Sequence, residues 1–280
     1  MRSKYARQKL KNFIFYPSKL GQNLNGVEFG PSTIIRRIID NEKKLGKRKK
    51  SRKIWVDIKN NKCIYESLLA LYSANARIRG PRVNIGGDHS MSIATVSHSL
   101  NNYENLKLIW IDAHPDINTS FSSKTKNIHG MPLGFLTNLD EDDRFPFLVN
   151  HVNFKNILYI GIRDIDDFER KILKYTNNIN CNQINNWPFI SKISNFIGDS
   201  PIHISFDVDA VDPKFIPCTG TSVNKGLNPD KIKILFDFLY KFKRNQIVNL
   251  DVTEFNPKIG NKEDYDESIK NIFKILDKFI

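Results

Sequence analysis

The 280-residue chain is long enough for one large α/β domain or two small ones, and its 40% hydrophobic and 26% charged residues exclude wholesale disorder. No apolar stretch in it approaches the ~20 residues needed to span a bilayer. Lysine and arginine total 43 against 30 acids, a formal net charge of +13 that reads as a lysine-coated surface, so a nucleic-acid partner is not expected.

In chain order, the basic N-terminus has no acid before Glu28, as a transit peptide would, yet the apolar run Phe13–Tyr16 is too short for a signal-peptide core. It reads as a first buried strand. The expected location is the cytoplasm, with the mitochondrion left open. Pro31-Ser32-Thr33 opens a helix to about Lys44, with proline where its missing N–H does no harm. The basic run Lys47–Lys53 is expected to be an exposed loop before the next strand.

Further strands are expected at Ile54–Ile58, Val83–Ile85, Leu106–Ile111, Ile157–Ile162, His203–Phe206 and Ile247–Val252, each short, apolar or β-branched, and ended by polar residues. Between them, helices are expected at Cys63–Arg77, Ser90–Asn101, Asp166–Tyr175, Pro229–Lys243 and Glu263–Phe279. Strands alternating with helices build a mostly parallel sheet covered on both faces. The fold class is therefore α/β, a three-layer αβα single domain over residues 1–280. Cys63, Cys181 and Cys218 are odd in number and widely spaced, which argues for reduced thiols and against a thiolate metal site.

The residues that carry chemistry stand at the carboxyl ends of these strands. Val83–Ile85 ends in Gly86-Gly87-Asp88-His89-Ser90, and Leu106–Ile111 ends in Asp112-Ala113-His114-Pro115-Asp116. His203–Phe206 ends in Asp207-Val208-Asp209, Ile157–Ile162 in Arg163-Asp164-Ile165-Asp166, and Ile247–Val252 leads to Glu254. In a parallel sheet the carboxyl ends lie along one rim, where open α/β sheets bind ligands. So many unpaired carboxylates would repel one another and lose ionisation. Divalent cations are the natural remedy. Histidine and carboxylate ligands without thiolates suit manganese, iron, cobalt or zinc, and the surplus of ligands points to two ions.

Taken together, these motifs resemble the ureohydrolase family, which contains arginase, agmatinase and formimidoylglutamase, and the resemblance runs from Gly21 to Pro257. Within it, Gly21-Gln22, Gly26-Val27-Glu28 with Gly30-Pro31, Asp116-Ile117-Asn118-Thr119, His129-Gly130-Met131-Pro132, Thr219-Gly220-Thr221 and Glu254 with Asn256-Pro257 are similar to the arginase branch. The resemblance implies two Mn2+ ions per chain, one held by His89, Asp112, Asp116 and Asp207 and the other by Asp112, His114, Asp207 and Asp209. It implies hydrolysis of L-arginine to L-ornithine and urea by a metal-bridging hydroxide. Asp116 would orient the nucleophile, His129 would shuttle protons and Glu254 would meet the guanidinium. Asn118, Ser123 and Thr125 fall where the family holds the α-carboxylate, Asp166 and Glu169 where it holds the α-ammonium, and Thr221 is a further substrate contact. A homo-oligomer, trimer or hexamer, is expected on the same basis.

There are departures. Thr125-Lys126-Asn127 replaces the usual Ser-Gly-Asn, Lys225-Gly226-Leu227 replaces Gly-Gly-Leu, and Cys218 stands where a small apolar residue is usual. They leave agmatine or another guanidino compound as the alternative substrate. The related deacetylase fold normally carries adjacent histidines, and no His-His pair occurs here. An inactive basic binding protein is the remaining alternative. His98, His151 and His203 match no ligand position and are expected to be surface or packing residues.

Overall fold

Phe13 and Phe15 turn to one face of the first strand, β1 (Asn12–Tyr16), and Ile14 and Tyr16 to the other, and both faces are buried. The same alternation puts Ile109 and Ile111 of β4 (Lys107–Ile111) on one side and Leu108 and Trp110 on the opposite side. A strand apolar on both faces needs helices above and below it. The computed structural model describes residues 12–44, 51–58, 63–141, 143–185 and 188–280. The remaining strands are β2 (Arg52–Trp55), β3 (Arg82–Gly86), β5 (Ile157–Ile160), β6 (Asn177–Ile179), β7 (Ile202–Asp207) and β8 (Ile247–Thr253).

These eight strands form one sheet in the order β2-β1-β3-β8-β7-β4-β5-β6, with every described pairing parallel. On one face lie α1 (Gly30–Lys44), α6 (Pro188–Ile197), α7 (Pro229–Phe242) and α8 (Lys262–Ile275), which insert residues such as Ile34, Ile193, Phe236 and Ile272. The other face is covered by α2 (Ile64–Ala76), α3 (Ser92–Leu100) and α4 (Pro132–Leu136), through Leu68, Ile93 and Leu133 among others. The short α5 (Asp167–Ile172) follows β5. The expected three-layer architecture is present, and the sheet is wholly rather than mostly parallel among the described residues.

Three elements escape the sequence pattern: α4, β6 and α6. β6 is an edge strand of only Asn-Asn-Ile, with both asparagines exposed, so it lacks the apolar run that marks a strand. β2 starts two residues before its expected place and ends at Trp55, since its pairing with β1 runs from Asn12–Arg52 to Phe15–Trp55. The basic N-terminal residues 1–11 and residues 47–50 of the basic run lie outside the described residues. Among the described residues Cys63, Cys181 and Cys218 form no disulfide. Among the described residues no helix is long and apolar enough to cross a membrane.

Candidate metal centre

The sheet order β3-β8-β7-β4 sets the three strands that precede the expected ligands, β3, β7 and β4, beside β8, which precedes Glu254. Neighbouring strands lie about 4.8 Å apart, so their carboxyl ends deliver side chains to one small region. Local turns then aim them. After β3, the Asp88 carboxylate caps a short turn by accepting from Ser90 N at 3.0 Å, which sets His89 at the turn's first position. After β7, Asp207 accepts from Asp209 N at 2.8 Å and opens a similar turn. Gly87 is required here, because a Cβ at this position would collide with the Ser18 carbonyl oxygen. Asp116 (φ 49°) and Glu254 (φ 64°) hold left-handed backbone, a strained state for such residues that tends to mark functional sites.

Two clusters result. His89 Nδ1 lies 3.0 Å from an oxygen of Asp112, 3.0 Å from one of Asp116 and 3.2 Å from one of Asp207. His114 Nδ1 lies 3.0 Å from Asp209 and 3.5 Å from the other oxygen of Asp112. His89, Asp112 and Asp116 form one group able to hold a metal ion, and Asp112, His114 and Asp209 form the other, so Asp112 belongs to both. Asp207 sits beside the first.

The His89 nitrogen is the telling atom. It is fully buried, surrounded by three carboxylates, and has no hydrogen-bond partner of acceptable geometry. Its other ring nitrogen is engaged by Ser205 Oγ at 2.8 Å, and the ring stacks on Trp110 with centroids 4.2 Å apart. Trp110 Nε1 in turn donates to Asp112 at 2.9 Å, and Thr221 Oγ1 donates to Asp209 at 3.0 Å. Outer partners of this kind fix ligand tautomer and orientation in metal sites. A nitrogen and several oxygens facing one point without bonding to one another fit a divalent cation.

The electrostatics agree. Burial, then the charge of Asp112, raises Asp116 to about 6. Burial and then Asp209 push Asp207 well above the usual carboxylate range. Burial would raise Asp112 too, but the imidazoles of His114 and His89 hold it low. Burial opposes protonation of His114, yet Asp209 and Asp112 raise it to about 12, and His89 is likewise raised by its three carboxylates. Protons on two imidazoles thus balance a negative charge that divalent cations would balance better.

A cavity of about 220 Å3 opens onto the clusters, lined by His114, Asp116, Asn118, His129, Asp166, Glu169, Asp207 and Thr221, all of them expected, together with Gly130 and Asp164. Glu254 is not among the lining residues but touches His129, which is: it is 2% exposed, with one oxygen accepting from His89 N at 2.9 Å and facing His129 Nδ1 at 3.0 Å. Asp166 and Glu169 form the capping box of α5, and Asp166 also accepts from Asn118 Nδ2 at 2.7 Å. Burial raises Glu169 to about 8. Ser123 and Thr125 are not among the lining residues. Ser123 Oγ accepts from Lys126 N and Thr125 Oγ1 from Asn127 N. Lys126 folds back to donate to the carbonyls of Ser120 and Phe121 rather than projecting its charge into the cavity.

Two residues of the rim stand in the run quoted after Ile162, but the sequence assigned neither a role. The Asp164 carboxylate approaches His114 Nε2 at 3.7 Å, and Arg163 ties the Asp209, Ala210 and Val223 carbonyls together. Both follow β5 and announce themselves only once β5 lies beside β4. Of the unmatched histidines, His151 is exposed, whereas His98 and His203 are packing residues in a buried polar network. His203 pairs with Asp251 at 2.9 Å, and His98 lies 3.2 Å from Arg82.

A family model described as the Arginase family matches residues 13–276. A protein named Arginase from Glaciozyma antarctica is 40% identical over 64% of this chain and 55% of its own length. Arginase-1 from Bos taurus is 31% identical over 87% of this chain and 84% of its own. The chain thus spans just over half of the first relative and most of the second. Among solved structures, Entamoeba histolytica arginase in complex with L-ornithine superposes with a TM-score of 0.84 at 27% identity, covering 96% of this chain and 99% of that one.

Proposed function

The chain belongs to the arginase family, and from that membership and the geometry of the rim we propose that it hydrolyses L-arginine to L-ornithine and urea. The observation that carries the reading is the buried His89 nitrogen, unbonded yet within 3.2 Å of three carboxylates. His89, Asp112, Asp116 and Asp207 would hold one divalent ion and Asp112, His114, Asp207 and Asp209 the other, manganese in both. Such a pair supplies water activated near neutral pH.

The chain's own residues do the rest. Arginine carries a guanidinium that stays charged in water, so its pocket needs an acid. Glu254 supplies that charge, kept ionised against its burial by His129, the His89 amide and Gln22. Asp116 orients the attacking water and passes its proton towards the leaving amine. His129, with Nδ1 engaged by Glu254, uses Nε2 to exchange protons between cavity and solvent. At the far end, Asn118 on the cavity wall recognises the α-carboxylate, and Ser123 and Thr125, which do not line the cavity, are the positions that would join it once substrate is bound. Asp166 and Glu169 meet the α-ammonium, a cation that would draw Glu169 back to its ionised form. Thr221 completes the contacts while holding Asp209. The Entamoeba relative, solved with L-ornithine, supports a site of this class.

We place residues 1–280 in one domain that assembles as a homo-oligomer, trimer or hexamer, in the cytoplasm. The test of the reading is urea release by the manganese-loaded protein from arginine and agmatine. Arginine is expected to be preferred by at least about 100-fold, since a site built for buried polar partners rejects a substrate lacking them. Faster release from agmatine would overturn the substrate and leave the metal centre standing.

A further inference from the structure

Gly21-Gln22 lies 67 residues or more before every expected ligand, in the loop that leaves β1, and the proposed chemistry gives it no part beyond one bond to Glu254. That loop is fastened to the centre at several points. Gly87 N donates to Tyr16 O at 3.0 Å and Asp88 N to Ser18 O at 3.1 Å, which locks the start of the loop against the turn carrying His89. Gly21 N donates to the buried Asp88 carboxylate at 3.1 Å, and a Cβ on Gly21 would collide with that carboxylate. From the other side, His129 N donates to Gly21 O at 3.1 Å. The next side chain, Gln22, donates from Nε2 to Glu254 Oε2 at 2.8 Å.

The two oxygens of Glu254 are therefore divided. Oε1 takes the His89 amide and faces His129, and Oε2 takes Gln22. A glutamate has a rotatable terminal torsion, and a carboxylate held at one oxygen can still swing about it. Held at both, it cannot. We propose that Gln22 is a positioning residue that fixes the Glu254 carboxylate in one orientation, and so sets how tightly the cavity takes a guanidinium cation. The half-buried amide is neutral, so it orients the acid without adding a positive charge that would repel the substrate. A lysine or arginine in its place would hold the carboxylate equally well and defeat the purpose.

This inference rests on Glu254 being the guanidinium partner. Gln22→Met keeps the length of the side chain and removes its donor. Because a hydrogen bond to a charged group is lost, KM for arginine should rise about tenfold. A contact made equally in the ground and transition states leaves kcat within about twofold. Manganese content should match the wild type, Tm should fall by no more than a few degrees for the one lost bond, and the crystal structure of the manganese-loaded variant should show the Glu254 carboxylate rotated. Unchanged KM, or kcat, metal content and Tm falling together, would overturn the proposal, the latter marking a purely structural role. Should Gln22→Met not fold, Gln22→Ala carries the same expectations. Wild-type protein that releases no urea from arginine would instead defeat the functional reading, and the variant's crystal structure would then decide on its own, a Glu254 carboxylate left unmoved overturning the proposal.

Discussion

Asp112 divides its two oxygens between the clusters, one beside His89 and the other beside His114. Changing Asp112 to Asn should therefore empty both positions rather than one. Its effect on metal affinity should exceed the roughly 100-fold upper end seen for outer-sphere partners, and elemental analysis of the dialysed protein would measure it. Retention of one full equivalent of manganese would contradict the shared role. The histidines carry a second prediction. In the metal-free protein His114 titrates near 12 and His89 well above its usual value, so both are protonated at pH 7. Bound metal needs neutral imidazole, so loading must expel protons, and apparent affinity must rise with pH. Calorimetry in buffers of different ionisation enthalpy should show proton release near neutrality. The same heat in every buffer would refute it. These ligands were legible because Asp-x-His-x-Asp and Asp-x-Asp directly follow apolar runs. Gln22 and Asp164 stood inside quoted motifs, but their roles were not legible, because what makes them matter is a contact across the rim, 232 residues away in the case of Gln22 and Glu254.

At the scale of elements, the buried central strands announce themselves by their apolar runs, and all six outside the edges were legible. The polar edge strand β6 was not, and nor was α6, where a run of mixed apolar and polar residues follows a proline. Helix α3 carries a prediction of its own. Its buried His98 is lowered to about 4 by burial, then by the charges of Arg82 and His203. Between pH 4 and the ordinary value of 6.5, the unfolded chain then binds more protons at this residue than the folded one. Its contribution to stability is present above 6.5 and is lost as pH falls towards 4. His98→Gln should make Tm less steeply dependent on pH across that window, readable by thermal denaturation at several pH values. A slope equal to that of the wild type would show that His98 does not titrate as its surroundings demand.

For the whole molecule, the alternation of strands and helices was enough to give a covered sheet with its ligands on one rim. The strand order was not legible, and it is the order β3-β8-β7-β4 that makes those ligands neighbours. The net charge of +13 says nothing about this chemistry, which depends on a local excess of acids on a basic chain. Everything proposed for the rim requires that acids and imidazoles from distant parts of the chain converge on a pair of divalent ions. Anomalous diffraction at the manganese edge from crystals of the manganese-loaded protein tests it most directly. Two peaks are predicted, one beside His89 and one beside His114, with Asp112 touching both. A single peak, or none within reach of these residues, would contradict it.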